Sequence, residues 1–250
     1  VEAGTADEAG AAFAAGHLDG AVLVVRDEVL TRPPGPGDGR HPLPSAADFA
    51  EAMGALGVGW DARVVAYDRQ GGGIAAHLVH LLRILGQDAA LLDGGPAAIA
   101  DPPVTGPPSP LAPVAREPRP WPVDLLPDAD EVAAHVAGGG VLIDARAAAR
   151  FRGETEPLDP VAGHIPGAVN APYQDNLDAD GRFRPAADLR AEYARLGAGP
   201  DAVVYCGSGV TACHDLLAIE HAGLGRARLY VGSWSQWCRD PQRPQATGPA

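Results

Sequence analysis

The chain holds three cysteines, Cys206, Cys213 and Cys238, and one of them stands where sulfur chemistry is possible. Cys206 closes a short apolar run (AVVYC, from Ala202), and Gly-Ser-Gly-Val-Thr leads from it into an apolar-periodic stretch from about Ala212 to His221. Such a run reads as a buried strand and such periodicity as a helix. The six residues Cys206 to Thr211 can then curl so that backbone N–H groups converge on the sulfur. Gly207 and Gly209 relieve the steric cost of unusual dihedrals, and the helix N-terminus adds positive potential at the same point. Both effects favour the thiolate, which is the nucleophile. The same cradle would hold a persulfide anion, so Cys206 is the expected nucleophile and Gly207, Gly209, Val210 and Thr211 the expected loop around its substrate.

A Cys at a strand end is often just a small buried hydrophobe, but the loop and the helix behind it set Cys206 apart. Cysteine phosphatases and arsenate reductases use a related layout with an Arg six residues after the Cys. Here that residue is Ala212, and the loop is one residue shorter than a phosphate cradle of that kind. A sulfur atom fits it better than a tetrahedral phosphoryl group. Cys213, on the first turns of the helix, is expected in the core, and Cys238 would respond to oxidants only if exposed.

The elements that must position this loop recur along the chain. GHLDGAV at Gly16 to Val22 returns as GHIPGAV at Gly163 to Val169, VVAYD ending at Asp68 returns as AVVYC ending at Cys206, and LLDGG at Leu91 returns as LYVGS at Leu229. Short apolar strands followed by glycine turns and helices place each half in the α/β class, with a mainly parallel sheet covered by helices. The sites of such sheets lie at the carboxyl ends of the strands, where Asp68 and Cys206 fall. Between the halves, 101–127 holds ten of the 25 prolines and reads as a semi-rigid linker. The expected organisation is a domain over 1–100, the linker, a second domain over 128–240 and a flexible tail over 241–250. No counterpart of VLIDAR (Val141 to Arg146) precedes Gly16, the chain opens at Val1, and its single Met is Met53. The start is therefore expected to be truncated or misassigned, and the first domain to lack its first strand.

The formal charge of −13, with no basic stripe, argues against nucleic acid as a partner. No apolar stretch approaches the roughly 20 residues of a membrane span, and no signal peptide is legible, so a cytoplasmic location and no membrane partner are expected. All 19 basic residues are Arg, which leaves guanidinium as the one cationic contact for an anionic substrate. His77 and His80 lie three apart on a helical stretch, a spacing a metal could use, but no third ligand is evident and they read as helix-face residues. No metal or cofactor is implied.

CGSGVTAC resembles the active-site loop of the two-domain rhodanese family of sulfurtransferases, in its mercaptopyruvate-type branch; thiosulfate-preferring members carry charged residues where Gly207 and Ser208 stand. GHLDGAV and GRHPLP in the first half, and VLIDAR, ARFRGE, GHIPGAVNAPY and GSWSQW in the second, extend the resemblance over nearly the whole chain. It implies two tandem rhodanese-like domains, of which only the second carries the nucleophile; Asp68 stands in its place in the first. It also implies Arg150 as a contact for the anionic end of the donor, and a relay of Ser208, His41 and Asp27 that manages the proton needed by the pyruvate enolate. Glu154 to Ala162 lacks the second substrate-binding Arg of mammalian-type members, so recognition is expected to rest on Arg150 with help from Arg152 or the loop N–H groups. Asp144 and Arg146 resemble a structural ion pair, and Trp234 and Trp237 are expected to wall the pocket or pack the core. The expected activity is transfer of a sulfane sulfur from 3-mercaptopyruvate to a thiol, thioredoxin or cyanide; the alternatives are a thiosulfate sulfurtransferase and a non-catalytic binding module.

Overall fold

The computed structural model describes residues 1–99, 105 and 110–249. The chain forms two compact units, one of Val1–Arg32, Leu43–Pro122 and Asp180–Arg182, the other of Pro33–Pro42, Val123–Ala179 and Phe183–Ala250. In the first, the order is β1 (Glu2–Gly4), α1 (Ala6–Ala15), β2 (Leu23–Val25), α2 (Arg26–Val29), α3 (Ala46–Ala55), β3 (Val64–Ala66), α4 (Gly73–Ile84) and β4 (Ala89–Leu91). In the second it is α5 (Ala129–Ala137), β5 (Leu142–Asp144), α6 (Ala148–Phe151), β6 (Ala168–Asn170), α7 (Ala186–Arg195), β7 (Val203–Tyr205), α8 (Ala212–His221), β8 (Arg228–Leu229) and α9 (Ser233–Trp237).

The second unit has a four-stranded parallel sheet in the order β6-β5-β7-β8. Its central strands, LID and VVY, are buried along their whole length, as parallel strands covered on both faces must be. α5 begins with a capping box between Asp128 and Glu131. In the first unit β1 pairs with β2 and β3 with β4, and a parallel bridge between Glu2 and Tyr67 joins the two pairs. Both units are built on α/β parallel pairing flanked by helices.

The duplication reaches individual hydrogen bonds. Ala3 N–H donates to Tyr67 O at 2.8 Å, and Ala145 N–H donates to Tyr205 O at 2.8 Å. The Tyr67 hydroxyl accepts from Leu18 N and the Tyr205 hydroxyl from Ile165 N. His17 stacks on Phe13 and bonds its carbonyl, and His164 does the same with Phe151. Tyr67 and Tyr205, like Phe13 and Phe151, are 138 residues apart, whereas His17 and His164 are 147 apart and Ala3 and Ala145 are 142 apart, so the connections between these elements differ in length.

Three expectations need correction. The first unit does have the strand it was expected to lack: Glu2–Gly4 fills that slot. Its Glu-Ala-Gly sequence has no strand propensity of its own; the waiting edges of β2 and Tyr67 define it, and Arg69 compensates Glu2 at 2.8 Å. The tail is docked: Ala246 and His164 exchange backbone hydrogen bonds, and Trp237 Nε1 donates to Pro244 O at 2.8 Å. Of the Pro-rich linker, 101–104 and 106–109 lie outside the described residues, but its later part packs on the first unit. Arg116 is buried there, with its guanidinium 3.6 Å from the Trp60 ring, and Trp121 bonds Pro44 O. Among the described residues no helix is long and apolar enough to cross a membrane.

Candidate active site

β7 delivers Cys206 to the carboxyl edge of the second unit's sheet, and α8 starts at Ala212, as the periodicity implied. α8 is buried from Ala212 to Ile219, so the loop between is fixed at both ends. Gly209 has φ +82°, and a Cβ there would lie 2.6 Å from Val231 O, so neither the dihedral nor the space admits a side chain. Cys206 is 1% exposed and its N–H donates to Ser233 Oγ at 3.1 Å.

Two guanidiniums stand over the loop. A Cβ on Gly207 would lie 2.8 Å from Arg40 Nη2 and 3.5 Å from both terminal nitrogens of Arg150. Glu156 accepts from Arg150 at 2.6 and 3.1 Å, Asp159 pairs with Arg40, and Asp159 also lies 3.5 Å from Arg150. Burial alone would push the Glu156 carboxyl up, but hydrogen bonds from Arg150 and from the Leu158 and Asp159 N–H groups outweigh it and hold the group below its ordinary value. The acidic segment read as a gap in substrate recognition is thus the anchor of two arginines. Arg152 is turned to its neighbour Glu154 on the surface.

His41 Nδ1 and Ser208 Oγ are 2.7 Å apart, a hydrogen bond whose direction follows the imidazole tautomer. The segment Pro33–Pro42, which carries His41 and Arg40, belongs to the second unit. Arg40 N–H donates to Ser235 Oγ at 2.9 Å, Gln236 Nε2 donates to Gly37 O at 2.7 Å, and Gly39 is so close to Gly232 that a Cβ would meet its carbonyl. A cleft of about 560 Å³, lined by Gly35, Gly37, Arg40, His41 and Arg239, opens beside this loop.

Of the expected site residues, Cys206, Ser208, His41, Arg150, Gly207, Gly209, Val210 and Thr211 gather in the second unit. Asp27 lies on α2 of the first, where it takes Arg26 Nε at 2.8 Å and Nη2 at 3.0 Å. Arg40 was missed, although GRHPLP contains it next to His41. Ser233 and Ser235 were missed too; their signal was the motif GSWSQW. Cys213 is in the core, donates to Gly209 O at 3.4 Å, and is pushed well above its ordinary pKa by burial. Cys238 is also buried, and burial raises it. Trp234 and Trp237 are core residues with bonded indole N–H groups. Asp144 and Arg146 form a fully buried ion pair at 2.6 Å.

In the first unit the loop after β3 closes on itself. The Asp68 carboxylate accepts from the N–H groups of Gln70, Gly72, Ile74 and Ala75 at 2.8–3.0 Å. A cavity of about 70 Å³, lined by Asp68, Arg69 and Ile74 among others, lies beside it.

A model of the rhodanese-like domain matches residues 5–101 and again 128–240. The chain belongs to the rhodanese family. Among rhodanese relatives, it is 46% identical over 241 residues to the "Probable 3-mercaptopyruvate sulfurtransferase" of Pseudomonas aeruginosa, covering 93% of this chain and 84% of that protein. It is 32% identical over 246 residues to the "Thiosulfate sulfurtransferase" of the same organism, covering 94% and 87%. The structure of the 3-mercaptopyruvate sulfurtransferase from Leishmania major superposes with a TM-score of 0.81 at 31% identity, over 96% of this chain and 71% of that one.

Proposed function

We propose that this rhodanese is a sulfurtransferase that takes a sulfane sulfur from 3-mercaptopyruvate through a persulfide on Cys206 and passes it to a thiol or to cyanide. The observation that carries the reading is the 2.7 Å contact of His41 Nδ1 with Ser208 Oγ, two residues from Cys206. The Cys206 thiolate attacks the donor sulfur, the S–Cys206 bond forms as the C–S bond breaks, and the electron pair stays on the methylene carbon as the pyruvate enolate. That carbon needs a proton, which the His41–Ser208 pair would supply. An acceptor thiolate then attacks the outer sulfur and the Cys206 thiolate leaves. Arg40 and Arg150 bind the donor's carboxylate.

Thiosulfate is the second reading, supported by the name of the 32% identical relative and by the two guanidiniums, which suit a sulfonate as well as a carboxylate. Sulfite leaves without needing a proton at carbon, so that donor gives the His41–Ser208 pair nothing to do. A purely binding role leaves the guanidiniums over Gly207 without a purpose. Mass spectrometry after mixing with donor is expected to find about 32 Da added on Cys206, and Cys206→Ser to abolish it. No adduct with either donor would sink the proposal. The ratio of kcat/KM for the two donors decides between them.

A further inference from the structure

Among the described residues, Ser233 is the one non-glycine residue with positive φ, at +53°. It is 0% exposed, so no solvent contact explains it. A non-glycine residue is held in this region only where its surroundings over-determine it, and such positions concentrate at functional sites. What surrounds Ser233 is the nucleophile. Its hydroxyl donates to Tyr230 O at 2.9 Å, which aims the oxygen lone pairs at Cys206 N–H, 3.1 Å away. The next two residues complete a clamp: Trp234 N–H donates to Cys206 O at 3.0 Å and Ser235 N–H to Gly207 O at 2.9 Å. Ser235 Oγ in turn accepts from Arg40 N–H.

The duplicated half is an internal control. The residue 138 positions before Ser233 is Gly95, as Asp68 is the residue 138 before Cys206. Gly95 has φ +61°, the same conformation, and a Cβ there would lie 3.1 Å from Asp68 O. The fold therefore uses this left-handed corner in both halves. The silent half fills it with glycine, which adopts it freely, and the cysteine half fills it with a strained serine. The backbone turn alone does not require a hydroxyl; the Cys206 amide is what the hydroxyl touches.

We infer that Ser233 is a positioning residue, whose hydroxyl fixes the backbone of Cys206 at the end of β7 and so sets the direction of its side chain, and that the segment through Ser235 ties this setting to the Arg40–His41 loop. The inference rests on Cys206 being the sulfur carrier. Its first readout is independent of sulfur transfer: hydrogen exchange of the Cys206 amide.

Ser233→Gly copies the first half, removes the hydroxyl and relieves the dihedral; the relief offsets part of the cost of stranding the buried Cys206 N–H, so the variant is expected to melt within a few degrees of the parent protein. Exchange of the Cys206 amide is expected to quicken about ten-fold or more, because its acceptor is gone. The single-turnover rate of persulfide formation is expected to fall about ten-fold or more, with the half-saturating donor concentration unchanged within about two-fold. Ser233→Thr keeps the hydroxyl and strains the corner further; it is expected to lower the melting temperature yet retain the parent rate of persulfide formation. A Ser233→Gly protein with both the parent amide exchange and the parent rate overturns the inference, as does a Thr variant as slow in persulfide formation as the Gly variant while folded. If the unaltered protein forms no persulfide, the sulfur-transfer reading fails, whereas faster exchange of the Cys206 amide in the Gly variant still upholds the positioning.

Discussion

Replacing Asp68 by Ala tests whether the first unit is held together by an anion of its own. The carboxylate accepts four backbone N–H groups, and these fall into two classes. Gln70 is exposed and Gly72 half-buried, so water can replace the lost acceptor there; Ile74 and Ala75 are buried in the first turn of α4 and cannot be rehydrated without opening the helix. Stranding two buried donors costs about 1.5 kcal/mol each, which gives about 3 kcal/mol. Removing a negative charge from the N-terminus of the α4 helix adds about 1 kcal/mol. Asp68→Ala is therefore expected to destabilise the first unit by about 4 kcal/mol, and Asp68→Asn, which keeps one oxygen acceptor, by about half as much. Urea denaturation gives the total, and hydrogen exchange of the peptide that begins α4 locates it, with Ile74 and Ala75 expected to lose protection first. An Asp68→Ala protein within about 1 kcal/mol of the parent would refute the assignment of these bonds. The aspartate oxygens stand two bonds beyond Cβ, as the outer sulfur of a Cys206 persulfide would, so the emptied nest is an anion site. Added sulfate is expected to recover part of the lost stability.

Further outcomes follow from the second unit. Ser208→Ala is expected to cut kcat with mercaptopyruvate about ten-fold or more while changing thiosulfate turnover much less, since only the first donor needs a proton at carbon. Arg40→Gln is expected to raise KM for either anionic donor about ten-fold and to lower stability by about 3 kcal/mol, because the buried Asp159 carboxylate loses its partner and keeps only Arg150 at 3.5 Å. Asp215, fully buried, takes Asn176 Nδ2 at 2.7 Å, and Asn176 Oδ1 takes the Tyr193 hydroxyl at 2.8 Å. Burial pushes its pKa well above the ordinary carboxyl value, so the folded protein keeps a proton that the unfolded chain has lost. Stability is then expected to fall as pH rises from about 4, the unfolded value, through the folded value. Asp215→Asn, which cannot ionise, is expected to flatten that dependence in urea midpoints measured between about pH 5 and 8.

The parts of this protein that sequence fixed by itself are those in which one residue type performs one local task. A cysteine at the end of an apolar run, glycines where a loop must turn tightly, a periodic helix behind it and an aspartate at the matching place in the other half are all legible through type and spacing. The repeated GHxxGAV and the apolar strands likewise announced a duplicated α/β fold, because buried parallel strands must be continuously apolar. What tertiary structure alone decided depends on partners far apart in the chain. Arg40 was invisible because its meaning lies in Asp159, 119 residues later, and the carboxylates of ETEPLDP looked like a missing cation until they were seen to hold two. β1 was invisible because Glu-Ala-Gly becomes a strand only when Val22 and Tyr67 offer it an edge. Ser233 was invisible because its left-handed backbone is set by packing around Cys206. Local propensity is written residue by residue, whereas hydrogen bonds and charge compensation belong to pairs that only folding brings together.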